Sequence, residues 1–102
     1  MKAVQTKKEL TSILLSRRKE IERFGVKRIG LFGSFIKGRQ NEKSDVDLLV
    51  EFIRGKKNFK NFISLAFFLE NLFHRKVELV TPESLSPYLK PYITKEIKYV
   101  LQ

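Results

Sequence analysis

Two hydrophobic periods alternate along the chain, and the switches between them divide it into elements. Leu10, Ile13, Leu14, Ile21 and Phe24 recur at helical spacing. Thr6-Lys7-Lys8-Glu9 ahead of them matches a capping box, and Gly25 behind them is a stop signal. The spacing predicts a helix over about Lys7 to Phe24, with Arg17, Arg18, Lys19, Glu20, Glu22 and Arg23 on a solvated outer face. Val26 to Phe32 reads as a strand ending at Gly33-Ser34. The turn from Gly33 to Ser44 is polar except for Phe35 and Ile36, which would anchor a short helix opened by Ser34. A second strand is expected from about Asp45 to Phe52. In it Val46, Leu48 and Val50 face one way and Asp45, Asp47, Leu49 and Glu51 the other.

Beyond the loop Arg54-Gly55-Lys56-Lys57-Asn58, residues Phe62, Ala66, Leu69 and Phe73 share a helical face, flanked by Ile63, Leu65 and Leu72. The helix predicted there, about Phe59 to Phe73, is apolar nearly all round, so it is either deeply buried or covered by a partner chain. His74 follows as a cap or surface residue. A third strand spans Lys76 to Val80 and stops at Thr81-Pro82-Glu83. Ser86-Pro87 resembles an N-cap with proline at the first helical position. Tyr88, Leu89, Tyr92, Ile93, Ile97 and Val100 would then form the apolar side of a last helix ending near Leu101, kinked or restarted at Pro91. No repeat or low-complexity segment interrupts this pattern, and residues 1–102 read as one domain.

Composition narrows the class. With 42% hydrophobic residues and nine Phe, the 102-residue chain can build a core without covalent staples. It has no cysteine, which excludes disulfides and thiolate metal sites and fits a reducing cytoplasm. No stretch approaches the roughly 20 apolar residues of a membrane span. Met1-Lys2-Ala3-Val4-Gln5 is followed by no signal-peptide core, so a cytoplasmic location without a membrane partner is expected. The net charge of +10 fits either attraction to a polyanion or a well-solvated lysine-rich surface. There is no RRM, KH or helix-turn-helix signature, so direct nucleic-acid binding is not expected.

The candidate chemistry lies where the first two strands meet. The only two aspartates, Asp45 and Asp47, are one residue apart at the head of an apolar strand, which puts both carboxylates on one face. Like charges that close repel unless a cation lies between them, and Mg²⁺ prefers carboxylate oxygens combined with waters and phosphates. Upstream, Gly33-Ser34 lets the backbone approach a ligand and offers free N–H groups to an anion. The Ser34 hydroxyl, Lys37, Arg39 and Lys43 can add donors or charge. If Gly33-Ser34 and Asp45 share a ligand, the first two strands must be antiparallel. The helical crossover favours a parallel third strand, which brings Glu78 to the same edge as Asp45 and Asp47. The expected fold class is α/β, a small mixed sheet with helices packed on it.

Gly-Ser, ten residues, then Asp-x-Asp resembles the signature of the polymerase β-type nucleotidyltransferases, and the short chain resembles their minimal (MNT) group. The resemblance implies attack of a hydroxyl on the α-phosphate of a nucleoside triphosphate, ATP by default, with two Mg²⁺ ions. It implies Asp45 and Asp47 as metal ligands, and Glu78, at a position more often Asp, as third carboxylate or base. Gly33 and Ser34 would hold the β- and γ-phosphates, with Lys37, Arg39 and Lys43 as further phosphate contacts. MNT proteins are often antitoxins paired with a HEPN-domain RNase, and some transfer AMP to a tyrosine of that toxin. The implied partner is therefore a HEPN protein, bound through the Phe59–Phe73 helix or the last helix, which could otherwise pair in a homodimer. The alternative is a non-catalytic antitoxin with a vestigial nucleotide site.

Overall fold

The computed structural model describes residues 2–102. Helices α1 (Lys7–Ser16) and α2 (Arg18–Glu22) precede strand β1 (Val26–Phe32), the single-turn helix α3 (Ser34–Lys37) and strand β2 (Val46–Phe52). Helix α4 (Phe59–Phe73) leads to β3 (Val77–Val80), a 3₁₀ turn (Pro82–Ser84), helix α5 (Lys90–Glu96) and β4 (Lys98–Leu101). The sheet order is β3-β2-β1-β4. β1 runs antiparallel to β2 and β4, while β2 and β3 are parallel. The result is a small mixed sheet carrying helices, with the two strand relations required by the shared site.

Alternation explains the core. Ile29, Leu31, Val46, Leu48 and Val50 are fully buried on one sheet face. They meet Leu10 and Leu14 of α1, Ile21 of α2, and Leu65, Leu69 and Phe73 of α4 in one hydrophobic cluster. Phe35 joins that cluster and anchors the short helix, as its place in a polar turn suggested. Among the described residues, no helix is long and apolar enough to cross a membrane.

Three expectations are corrected. The first helix does not run unbroken to Phe24: Arg17 leaves helical geometry at φ −107°, ψ 18°, separating α1 from α2. Ser16 Oγ donates to the Ile13 carbonyl at 2.8 Å, a back-bond that competes with the helical ladder and bends it. The capping box is also altered, because Glu9 accepts from the Gln5 N–H rather than that of Thr6, although Thr6 Oγ1 still accepts from the Glu9 N–H.

The third correction is larger. The last helix ends at Glu96 rather than near Leu101, and Lys98–Leu101 forms β4 beside β1. Ile97 turns extended (φ −61°, ψ 139°). The exposed ladder edge of β1 needs partners for its N–H and C=O groups, and this demand outweighs the helical spacing of Ile93, Ile97 and Val100. Ser86 Oγ does accept from the Leu89 N–H, but regular helix begins only at Lys90. Tyr88, Leu89 and Tyr92 consequently stand in solvent, Tyr88 at 86% exposure.

The sheet face opposite the main core is covered in part by α5. Gly30 permits this close approach: a Cβ there would fall 2.5 Å from Ile97 Cδ1.

Candidate active site

Strand register assembles the site. Phe32, the last residue of β1, is opposite Asp47 of β2, and Asp47 is in turn level with Glu78 of β3. Asp45 sits just ahead of β2, and Gly33-Ser34 follow β1 directly. Both chain reversals therefore bring their polar residues to the same end of the sheet. The β2 ladder is one residue shorter than expected, starting at Val46, so Asp45 is exposed at the mouth while Asp47 is half-buried within the sheet.

Gly33 makes the close packing possible. Its φ of 77° is open mainly to glycine, and a Cβ at this position would be driven into the Asp47 carboxylate. The Ser34 backbone N–H lies close enough to that carboxylate to favour its charged form.

The electrostatics follow from the crowding. Burial, then the hydrogen bond and charge of Glu78, and more weakly the charge of Asp45, push the Asp47 carboxyl up to about 7. The Ser34 N–H works in the opposite direction. An acid held this far above its usual range, beside further carboxylates, is a site short of positive charge.

A divalent cation suits that deficit. Among the described residues, no three His, Cys, Asp or Glu side chains gather tightly enough to form a cage of protein ligands. Asp45 and Asp47 at the head of β2 nevertheless suit Mg²⁺, which usually binds through one or two carboxylates, waters and substrate phosphates.

The expected basic residues are arranged differently. Lys37 forms an ion pair with Glu96 at 3.3 Å, tying α3 to the end of α5. Arg39 and Lys43 are exposed on the loop between α3 and β2. The backbone N–H of Arg39 donates to the Ser34 carbonyl, and that of Lys43 to Asn41 Oδ1.

Arg75 had no role in the sequence reading, yet it organises this loop. Its guanidinium donates to the carbonyls of Val4 (2.5 Å), Asn41 (2.9 Å) and Ser44 (2.8 Å), and lies 5.1 Å from the Phe35 ring centroid. It therefore fixes the residue immediately before Asp45. An arginine just after a helix carries no local signal of such long-range bonding. A second cluster was also missed: Arg28 Nε meets Glu51 Oε2 at 2.6 Å and stacks 4.0 Å over Tyr99. Glu51 shares a strand face with Asp47, which is a visible cue, but the apolar spacing of the last segment places Tyr99 in a helix.

The nucleotidyltransferase domain family matches residues 11–100. The protein adenylyltransferase MntA of Thermococcus cleftensis is 42% identical over 99 residues, covering 96% of this chain and 99% of that protein. A solved minimal nucleotidyltransferase structure superposes with a TM-score of 0.70 at 32% identity, over 86% of this chain and 93% of that one. A solved toxin–antitoxin structure with AMP-PNP gives a TM-score of 0.67 at 25% identity, over 83% of this chain and 70% of that one.

Proposed function

This chain belongs to the nucleotidyltransferase domain family and is a nucleotidyltransferase, and from that premise we propose that it transfers AMP from ATP to a tyrosine hydroxyl of a HEPN toxin, acting as its antitoxin. The observation that carries the proposal is the meeting of Asp47 with Glu78, Asp45 and the Gly33–Ser34 turn at one end of the sheet. The similarity to a protein adenylyltransferase and to a toxin–antitoxin structure with AMP-PNP supports the donor and the partner.

In the proposed reaction, the acceptor oxygen forms a bond to the α-phosphorus, and the bond to the bridging oxygen of pyrophosphate breaks. Asp45 and Asp47, with Glu78 beside them, would hold Mg²⁺. When bound there, Mg²⁺ supplies positive charge to the phosphate oxygens and to the attacking and leaving oxygens. The Ser34 hydroxyl and the backbone around Gly33 orient the β- and γ-phosphates. Glu78 would take the acceptor's proton. Arg39 and Lys43 would add positive charge to the same anion from solvent, and Lys37 would do so on leaving Glu96.

The exposed Tyr88, Leu89 and Tyr92, together with Phe59 and Phe67 of α4, offer apolar surface for the toxin that presents the acceptor. The test is label transfer from α-labelled ATP to the co-expressed partner, with and without Mg²⁺. Asp45→Asn combined with Asp47→Asn should reduce transfer by on the order of 10²-fold or more. If the wild type transfers nothing, and both proteins neutralise the partner equally, the chain acts by contact alone.

A further inference from the structure

Ion pairing divides the molecule by charge. Among the described residues, the Asp and Glu side chains outside any ion pair are Glu9, Glu42, Asp45, Asp47, Glu70 and Glu78. All gather at the catalytic end. Glu70 accepts the N–H of Val77 at the start of β3, and Glu9 that of Gln5, whose carbonyl meets Gln40 of the loop between α3 and β2. The opposite end, where β1 begins and β2 ends, has the reverse character. Val26 pairs with Phe52 there, about 17 Å along β2 from Asp47. Its carboxylates are each matched, Glu22 by Arg18, Glu51 by Arg28 and Glu83 by Lys57. Arg23, Lys27, Arg54, Lys56 and Lys60 are exposed at that end and join no ion pair among the described residues. Hydrogen bonds fix the loop that carries most of them. The Ile53 N–H donates to the Gly25 carbonyl, the Lys56 N–H to the Ile53 carbonyl and Asn61 Nδ2 to the Lys56 carbonyl, each at 2.8 Å. Gly25 lets the loop lie this close, since a Cβ there would run into that of Lys56. Lys27, Arg54 and Lys57 line a recess of about 350 Å³ beside the loop, which Glu51 and Glu83 reach with their charge already matched. Lys60 adds a cation to the first turn of α4, where the helix dipole is itself positive. Such an accumulation of like charge costs stability unless an anion lies against it.

We propose that this end of the sheet binds the phosphate backbone of a single-stranded nucleic acid, at a site separate from the carboxylates. A string of phosphates suits cations spread across one end of the molecule. The recess admits a sugar–phosphate unit, which a flat bilayer cannot supply. Phe59, 80% exposed and close in sequence to Lys57 and Lys60, gives a base a face to stack on, which an acidic peptide would not use. Phe59 also borders the apolar surface offered to a protein partner, so the two ligands meet at this ring. No motif announces the surface, because its cations come from two segments that only the fold brings together.

The experiment is fluorescence anisotropy of a labelled oligouridylate of about 12 nucleotides with the full chain, over a range of salt concentrations. Lys27→Gln, Arg54→Gln and Lys56→Gln combined should weaken binding about tenfold or more at low salt. They should also flatten the log–log salt slope by about 2, at about 0.7 for each lost phosphate contact. Thermal unfolding of this variant should be unchanged or higher, since repelling charges are removed. Lys7→Gln, Lys8→Gln and Lys76→Gln remove the same charge at the carboxylate end and should leave affinity within about twofold. Phe59→Ala should weaken the oligonucleotide about fivefold or more and leave binding of poly-glutamate unchanged. Saturating ATP with Mg²⁺ should not displace the oligonucleotide. Equal losses in the two triple variants would reduce the binding to net charge and overturn the site, as would displacement by ATP or no binding by wild type. Poly-glutamate or phosphatidylserine vesicles binding more tightly than the oligonucleotide, with the same loss in the first triple variant, would overturn nucleic acid as the occupant.

Discussion

Replacing Asp47 by Asn should stabilise the metal-free protein, and by an amount that depends on pH. Asn keeps the shape, its carbonyl can still accept the Ser34 N–H, and its amide can donate to Glu78. What disappears is a carboxyl pushed from an ordinary 3.8 up to about 7 by burial and by Glu78. Between those values the folded state holds a proton that the unfolded state has released. Wild-type stability therefore falls as pH rises through this window and reaches its floor above pH 7. Undiminished, the difference amounts to about 4 kcal/mol. The group is half-exposed, and screening by water reduces this to about 1–2 kcal/mol. Urea unfolding with a chelator present, at about pH 5 and about pH 8, reads the difference between wild type and variant. The variant should gain little at the lower pH and about 1–2 kcal/mol at the higher. Mg²⁺ should then recover stability at the higher pH in wild type and not in the variant, because it takes the place of the missing proton. A wild-type-to-variant difference that stays flat across the range would refute this account of the site's strain.

Other perturbations test the frame around the carboxylates. Gly33→Ala places a methyl against Asp47 on a backbone of positive φ. It should cost about 1–3 kcal/mol by thermal unfolding and lower transfer by on the order of 10²-fold through misplacement. Arg75→Ala should destabilise the fold by about 2 kcal/mol in urea and speed hydrogen exchange in residues 41–45, since three carbonyls lose a charged donor. Tyr88→Ser combined with Tyr92→Ser should leave unfolding within about 0.5 kcal/mol of wild type, because both side chains are exposed, yet weaken co-purification with the proposed toxin partner.

Much of this arrangement was legible because it is local. Period-two alternation from Val46 to Val50 fixes which face holds Asp47, and a ligand shared by Gly33-Ser34 and Asp45 requires β1 and β2 to be antiparallel. With the helical crossover to a parallel third strand, this brings Asp45, Asp47, Ser34 and Glu78 to one edge before any coordinate is known. What escaped depends on distant partners. Lys98–Leu101 continues an apolar spacing that suits a helix, and only the open edge of β1 makes it a strand. Arg75 bonds residues more than thirty positions away, and no neighbour in sequence announces it. The break at Arg17 turns on a hydroxyl folding back on its own helix, which the apolar spacing does not register.

Gly30 lies beneath Ile97 with no side chain between them, so a position that touches neither phosphate nor metal sets how low α5 sits over the sheet. Added atoms there would act as shims. Alanine or serine would lift the helix while Asp47 and Glu78 stayed in register, held by backbone ladders on either side of β2. The seating of that helix and the register of the carboxylates are thus set from different strands.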